Sequence, residues 1–193
     1  MEISSRGIPI RLRRTLDLEK HRPVLRVHYT AENLGAAQES FLWAAHPLIA
    51  IEGGMSLVLP AGTQLVRSYA TENCPIHVAS DLAVLTDPLE GGSQSFALKA
   101  HAFLPATDRW AALRTAAGEE LRVEFDSSEI TCLAIWLNAR AWSGCGSEPY
   151  FNLGFEPMIG AVDRLDVAVE KNLERGLLAP HGSSTWSFTL RLK

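Results

Sequence analysis

The chain has 193 residues, of which 47% are hydrophobic and 21% charged, with a formal net charge of -4 and a pI near 5.9. This is the composition of one globular domain, residues 1–193, able to bury a sizeable core, and its acidic balance argues against nucleic acid as a partner. No run approaches the roughly 20 apolar residues of a membrane span, and MEISSRGIPIRLRR lacks the apolar centre of a secretory signal, so no membrane partner and a cytoplasmic location are expected.

From Ile8 to Leu18 and from Val24 to Ala31, apolar residues recur at every second position, the period of a strand. The charged DLEKHRP between them predicts an antiparallel hairpin, with Arg11, Arg13 and Arg14 on a solvated face, and ENLG at 32–35 predicts the next turn. FLWAAHPLIAI (41–51) is a continuous apolar run holding one His, read as a strand and closed by Glu52 and the Gly53-Gly54 turn. SLVLPAGTQLV then predicts a second hairpin about Pro60-Ala-Gly-Thr.

Arg67 to Gly92 is broken by Asn, Pro, Asp and Gly, and reads mostly as loop. Alternation returns at Ser95–Leu104, Leu121–Phe125 and Ile130–Asn138. DRLDVAVEKNLE (163–174) spaces Leu165, Val169 and Leu173 four apart, predicting a helix capped by Gly176, and the chain closes on a strand, STWSFTLRLK. About ten short strands against one or two short helices specify an all-β fold, an antiparallel β-sandwich.

Cys74, Cys132 and Cys145 are odd in number and far apart, with no C-x-x-C pair, so neither a disulfide framework nor a zinc site is expected, and Cys132 reads as a buried thiol. The chemistry-bearing residues stand in apolar strands. Glu156, in YFNLGFEP, is a carboxylate that must be solvated, paired or used; pairing with Arg140 or Arg164 is the structural alternative to an acid–base role. His46 admits two readings, a hydrogen-bonded core histidine or a proton donor. Trp136 and Asn138 share one face of their strand, with Trp142 close behind, and Asn152, Gly154 and Glu156 likewise share one face of theirs. Ring and amide together are the composition of a sugar site, the ring stacking on C–H faces and the amide bonding hydroxyls. They equally describe a core Trp and a turn Asn.

The order of FLWAAHPLIA, LAIWLNARAW, NLGFEPMIGAVD and LLAPHGSSTWSFTLRL resembles the aldose 1-epimerase family, over most of the chain from about Arg13 onward. The resemblance implies a galactose mutarotase-like supersandwich, N-terminally shortened, and a hexose as small-molecule partner. It implies His46 as general acid on the ring oxygen and Glu156 as base on the anomeric hydroxyl, with no metal or organic cofactor. Trp136, Asn138, Trp142 and Asn152 are the expected sugar-binding residues, with acid and base about a sugar ring apart. The Arg and second His that the family's first strands bring to the sugar have no counterpart here; His101 is the nearest substitute and reads as structural or exposed. An incomplete site would bind sugar without turnover. A sandwich lacking its first strands also exposes an edge and an apolar face, so a homodimer or a place within a larger chain is expected.

Overall fold

A computed structural model of the chain describes residues 1–4, 7–76, 95–144, 146 and 148–193. The alternating N-terminal runs form the expected hairpin: β2 (Ile10–Leu18) pairs antiparallel with β3 (Val24–Asn33), Ile10 opposite Asn33 and Leu18 opposite Leu25. The turn after it is held by Asn33, whose Oδ1 accepts from the Gly35 N–H at 2.9 Å while its Nδ2 donates to the Ala37 carbonyl at 2.7 Å.

The hairpin belongs to a seven-stranded sheet with β1 (Glu2–Ser4), β7 (Ser56–Val58), β10 (Trp110–Arg114), β11 (Glu120–Phe125) and β15 (Ser183–Leu192), in the order β1-β2-β3-β15-β11-β10-β7. The second sheet runs β5 (Trp43–Ala44), β13 (Phe151–Ile159), β12 (Cys132–Ala139), β9 (Phe96–Phe103), β8 (Gln64–Ala70), and β6 (Leu48–Ala50) also pairs with β13. A small ribbon joins β4 (Glu39–Phe41) to β14 (Gly176–Leu178), and α1 (Leu165–Glu170) is the one helix among the described residues. Neither it nor any other described segment is a helix long and apolar enough to cross a membrane.

Period-two alternation builds the core between the sheets. Leu98, Leu133, Ile135, Leu137, Leu153 and Phe155 point inward from the second sheet to join Val27, Tyr29, Leu113, Val123 and Phe188 of the first. Fully burying each such side chain contributes roughly 1.5–3 kcal/mol. Tyr29, Trp43 and Trp186 lock together at one end, with Tyr29 and Trp186 stacked at 5.7 Å and Trp43 edge-on to both.

Several sequence expectations are corrected. The apolar run 41–51 is three short pieces rather than one strand, interrupted at Ala45–Pro47, because Pro47 has no N–H to give a ladder. Pro60-Ala-Gly-Thr does turn, with Thr63 N–H and Oγ both donating to the Pro60 carbonyl, yet it makes no hairpin: β7 pairs with β10 in one sheet and β8 with β9 in the other. Residues 67–70 belong to β8 rather than a loop, and the Asp81–Gly92 part of that reading lies outside the described residues, as does Cys145. The helix is half the expected length. It stops at Lys171, where Asn172 at φ 48° donates to Val169 and Leu173 N–H to Ala168, while Gly176 pairs with Phe41 in a strand instead of capping.

Candidate functional site

The odd-numbered residues of β12 and β13 face the core, which turns the even-numbered ones to the outer face of the second sheet. Pairing then sets Asn138 opposite Asn152, Trp136 opposite Gly154 and Ala134 opposite Glu156. The two residue sets, each expected on one face of its own strand, thus lie on one face of the sheet. β9 extends it, with Lys99 opposite Trp136 and His101 opposite Ala134.

His46 reaches this face from the interruption between β5 and β6. Ala44 pairs with Met158 on one side and Leu48 with Gly154 on the other, so the register brings His46 beside Glu156. Backbone bonds from Ala45 N–H to the Pro157 carbonyl and from Phe155 N–H to the Pro47 carbonyl, both 3.0 Å, hold the segment there. His46 Nδ1 stands 3.0 Å from Glu156 Oε1. They touch, closer than the sugar-ring separation expected. The imidazole is 65% exposed and the carboxylate 5%. Glu156 meets neither Arg expected as an alternative partner: Arg140 stacks on the Phe151 ring at 4.3 Å, and Arg164 pairs with Asp166.

These residues line a cleft of about 410 Å³ with Asn138, Asn152, Leu48 and Lys99, and with Trp136, Trp142 and Tyr150 as aromatic walls. Trp136 and Trp142 meet edge to face at 6.4 Å. Gly154 lies between Asn152 and Glu156 on β13; a Cβ there would fall 3.1 Å from Trp136 Cβ and run into the Glu156 carboxylate. Glu156 Oε2 and Asn152 Oδ1 are buried and receive no hydrogen bond from the described residues. Asn138 is different. Its Oδ1 accepts from the N–H groups of Ala141 (3.0 Å) and Trp142 (3.1 Å), and its Nδ2 donates to the Trp142 carbonyl (3.0 Å), so it holds the loop that carries Trp142.

Of the two readings of His101, structural or exposed, the structure gives a buried side chain, and Nε2 has no partner among the described residues. Burial first, then the neighbouring Lys99 charge, hold its imidazole below the ordinary value. The turn after β13 covers this end of the face: Asp163 pairs with Lys99, and Ala161 packs on Cys132, Ala134 and Met158. Cys132 is buried as expected, with its thiol pushed up to about 12, chiefly by burial. Lys99, Asp163 and Tyr150 are the site residues sequence reasoning missed. The signal was present for Lys99, which shares strand parity with His101, and for Tyr150, which opens the same motif as Glu156.

No protein-family model matches the chain, and no curated protein sequence matches it. Solved structures do. A candidate aldose 1-epimerase from Klebsiella pneumoniae subsp. pneumoniae superposes with a TM-score of 0.76 at 13% identity, over 99% of this chain and 48% of its own. A galactose mutarotase related enzyme from Lactobacillus acidophilus gives 0.64 at 15%, over 100% of this chain and 66% of its own. A galactose mutarotase-like protein from Clostridium acetobutylicum gives 0.65 at 10%, over 100% and 61%. The chain spans about half to two-thirds of the length of these structures, and over that span its fold is the galactose mutarotase-like sandwich.

Proposed function

We propose that the chain interconverts the anomers of an aldohexose, as an aldose 1-epimerase-like isomerase. The observation that carries this reading is the contact of His46 with Glu156 at the floor of an aromatic-walled cleft, with the second carboxylate oxygen unpartnered. O1 and the ring oxygen of a pyranose are bonded to the same carbon, so a base and an acid in mutual contact reach both. Glu156 Oε1 holds Nδ1–H of the His46 imidazolium, the Glu156 carboxylate takes the proton from O1, and His46 Nε2 gives its proton to the ring oxygen as the C1–O5 bond breaks. The open aldehyde turns about C1–C2. Closure on the other face returns each proton by the same route, so both residues end as they began.

In this scheme Trp136 and Trp142 stack on the sugar's C–H faces, Asn152 accepts a hydroxyl, and Asn138 positions Trp142. A second reading, sugar binding without turnover, is favoured by the openness around His46, whose imidazole is 65% exposed where proton transfer gains from a closed site. Polarimetry on freshly dissolved α-D-glucose and α-D-galactose separates the two. The isomerase accelerates relaxation, and Glu156→Gln or His46→Ala lowers kcat/KM by about 10²–10⁴. Sugar-dependent tryptophan fluorescence without acceleration supports binding alone.

A further inference from the structure

The outer edge of β2 is open near its end, and the direction of its backbone groups shows what fits there. On the β1 side, the Arg14 N–H donates to the Met1 carbonyl at 2.8 Å, and the Met1 ammonium donates to the Arg14 carbonyl at 2.9 Å. On the other side, the Glu19 N–H donates to the Val24 carbonyl at 3.0 Å. Even-numbered residues of β2 therefore turn their N–H and C=O groups toward the outer edge, and odd-numbered ones toward β3. Leu16 and Leu18 continue the series of Arg14 beyond the reach of β1, and among the described residues no strand pairs with them on that side. Their side chains are exposed as well. An edge that bares backbone donors and acceptors beside leucines is a template for another strand.

Space limits the occupant. Met1 blocks the edge at Arg14, so a strand laid along it must stop within a short span. β2 of a second copy does so by its own turn after Leu18, and it brings matching leucines. We infer that a second copy adds antiparallel to this edge about a two-fold axis at Asp17, joining the larger sheets of the two copies. Leu16 of each copy then stands opposite Leu18 of the other, and each such pair exchanges both of its backbone bonds. An axis at Leu16 would put Leu18 of the second copy where Met1 stands, and an axis at Leu18 would put Leu16 opposite Lys20, beyond the strand's end. The paired leucines lie on the face that carries the groove lined by Leu16, Leu25 and Leu190, and extend its apolar wall. The cost falls on the opposite face. There the two Asp17 carboxylates meet across the axis, and like charges directly opposed weaken the pairing.

The test places a thiol on the axis. Cys74 and Cys132 are buried, and Cys145→Ser removes the remaining cysteine, so an added thiol is the one that reacts. Residues facing each other in a non-bonded antiparallel pair stand about 4.5 Å apart at Cα, within disulfide reach. With Asp17→Cys in that background, oxidation by dissolved oxygen is expected to give a covalent dimer in non-reducing electrophoresis. Thr15→Cys, whose thiol faces Glu19 of the other copy, is expected to stay unlinked. Without cross-linking, Asp17→Asn removes the opposed charges and is expected to lower the dimer Kd roughly two- to fivefold in sedimentation velocity. Both positions are exposed, and circular dichroism checks that each variant folds. Equal linking at positions 15 and 17, a Kd that Asp17→Asn leaves unchanged or raises, or a native chain that is monomeric at micromolar concentration overturns the inference.

Discussion

A carboxylate buried in a strand is stable only with compensation, and among the described residues Glu156 has it on one oxygen. The half that is satisfied holds His46; the half that is not is buried without a partner among the described residues. Asn138 illustrates the opposite arrangement. With three hydrogen bonds to the backbone at 141–142, it serves the fold of the rim loop. Asn138→Ala is predicted to lose roughly 1–3 kcal/mol of stability in urea titration and to raise KM for sugar more than it lowers kcat, because Trp142 loses its anchor. His101 supplies a pH signature. Its folded value lies below its ordinary 6.5, so between the two the unfolded chain binds more protons. The stability it confers is present above about pH 6.5 and is lost as pH falls through the folded value. Thermal midpoints of the native protein are predicted to fall with acidification in that window, and His101→Phe to flatten the slope. Equal slopes would show that another group sets the acid limb.

Among the elements, what was legible in the sequence was alternation, and what was not was partnership. The runs of β2, β3, β9, β11, β12 and β15 announce themselves because one face of each is apolar every second residue. The turn at Pro60 is equally clear as a turn, but nothing in PAGT says that it carries the chain from one sheet to the other. β10, WAALR, escaped because five residues without a polar alternation carry no period. The interruption at His46 had one clue, Pro47, hidden inside an apolar run. Both carboxylate and imidazole were legible as candidates, whereas their contact depends on β5 and β6 flanking β13, a long-range register. Gly154 tests that register directly. Gly154→Ala drives a methyl toward Glu156 and Trp136, and is predicted to cut kcat/KM by at least about tenfold while changing stability by roughly 1–3 kcal/mol. Unchanged activity in a folded variant would show that the placement of Glu156 and Trp136 does not matter for turnover.

At the scale of the whole molecule, the larger sheet extends past the smaller one. Leu16 and Leu18 are 56% and 69% exposed on β2, and a groove of about 550 Å³ runs from Leu16 past Leu25 and Leu190 to His46 and Pro47. An apolar face of this kind favours association, so a second copy is predicted to cover it. Light scattering at micromolar concentration is expected to give a dimer, and Leu16→Lys with Leu18→Lys a monomer. A monodisperse monomer for the native chain would contradict this. Because the groove ends at His46, dilution below the dimer's Kd is also expected to alter turnover.

The measurement that bears most directly on the proposed chemistry is a double-mutant cycle on anomer interconversion, using Glu156→Gln, His46→Ala and the two combined. A contact pair acting as one acid–base unit predicts that each single change removes nearly all acceleration and that the double variant is no worse than either, strongly non-additive losses. Additive losses, or a native chain that accelerates no free aldohexose, would contradict it.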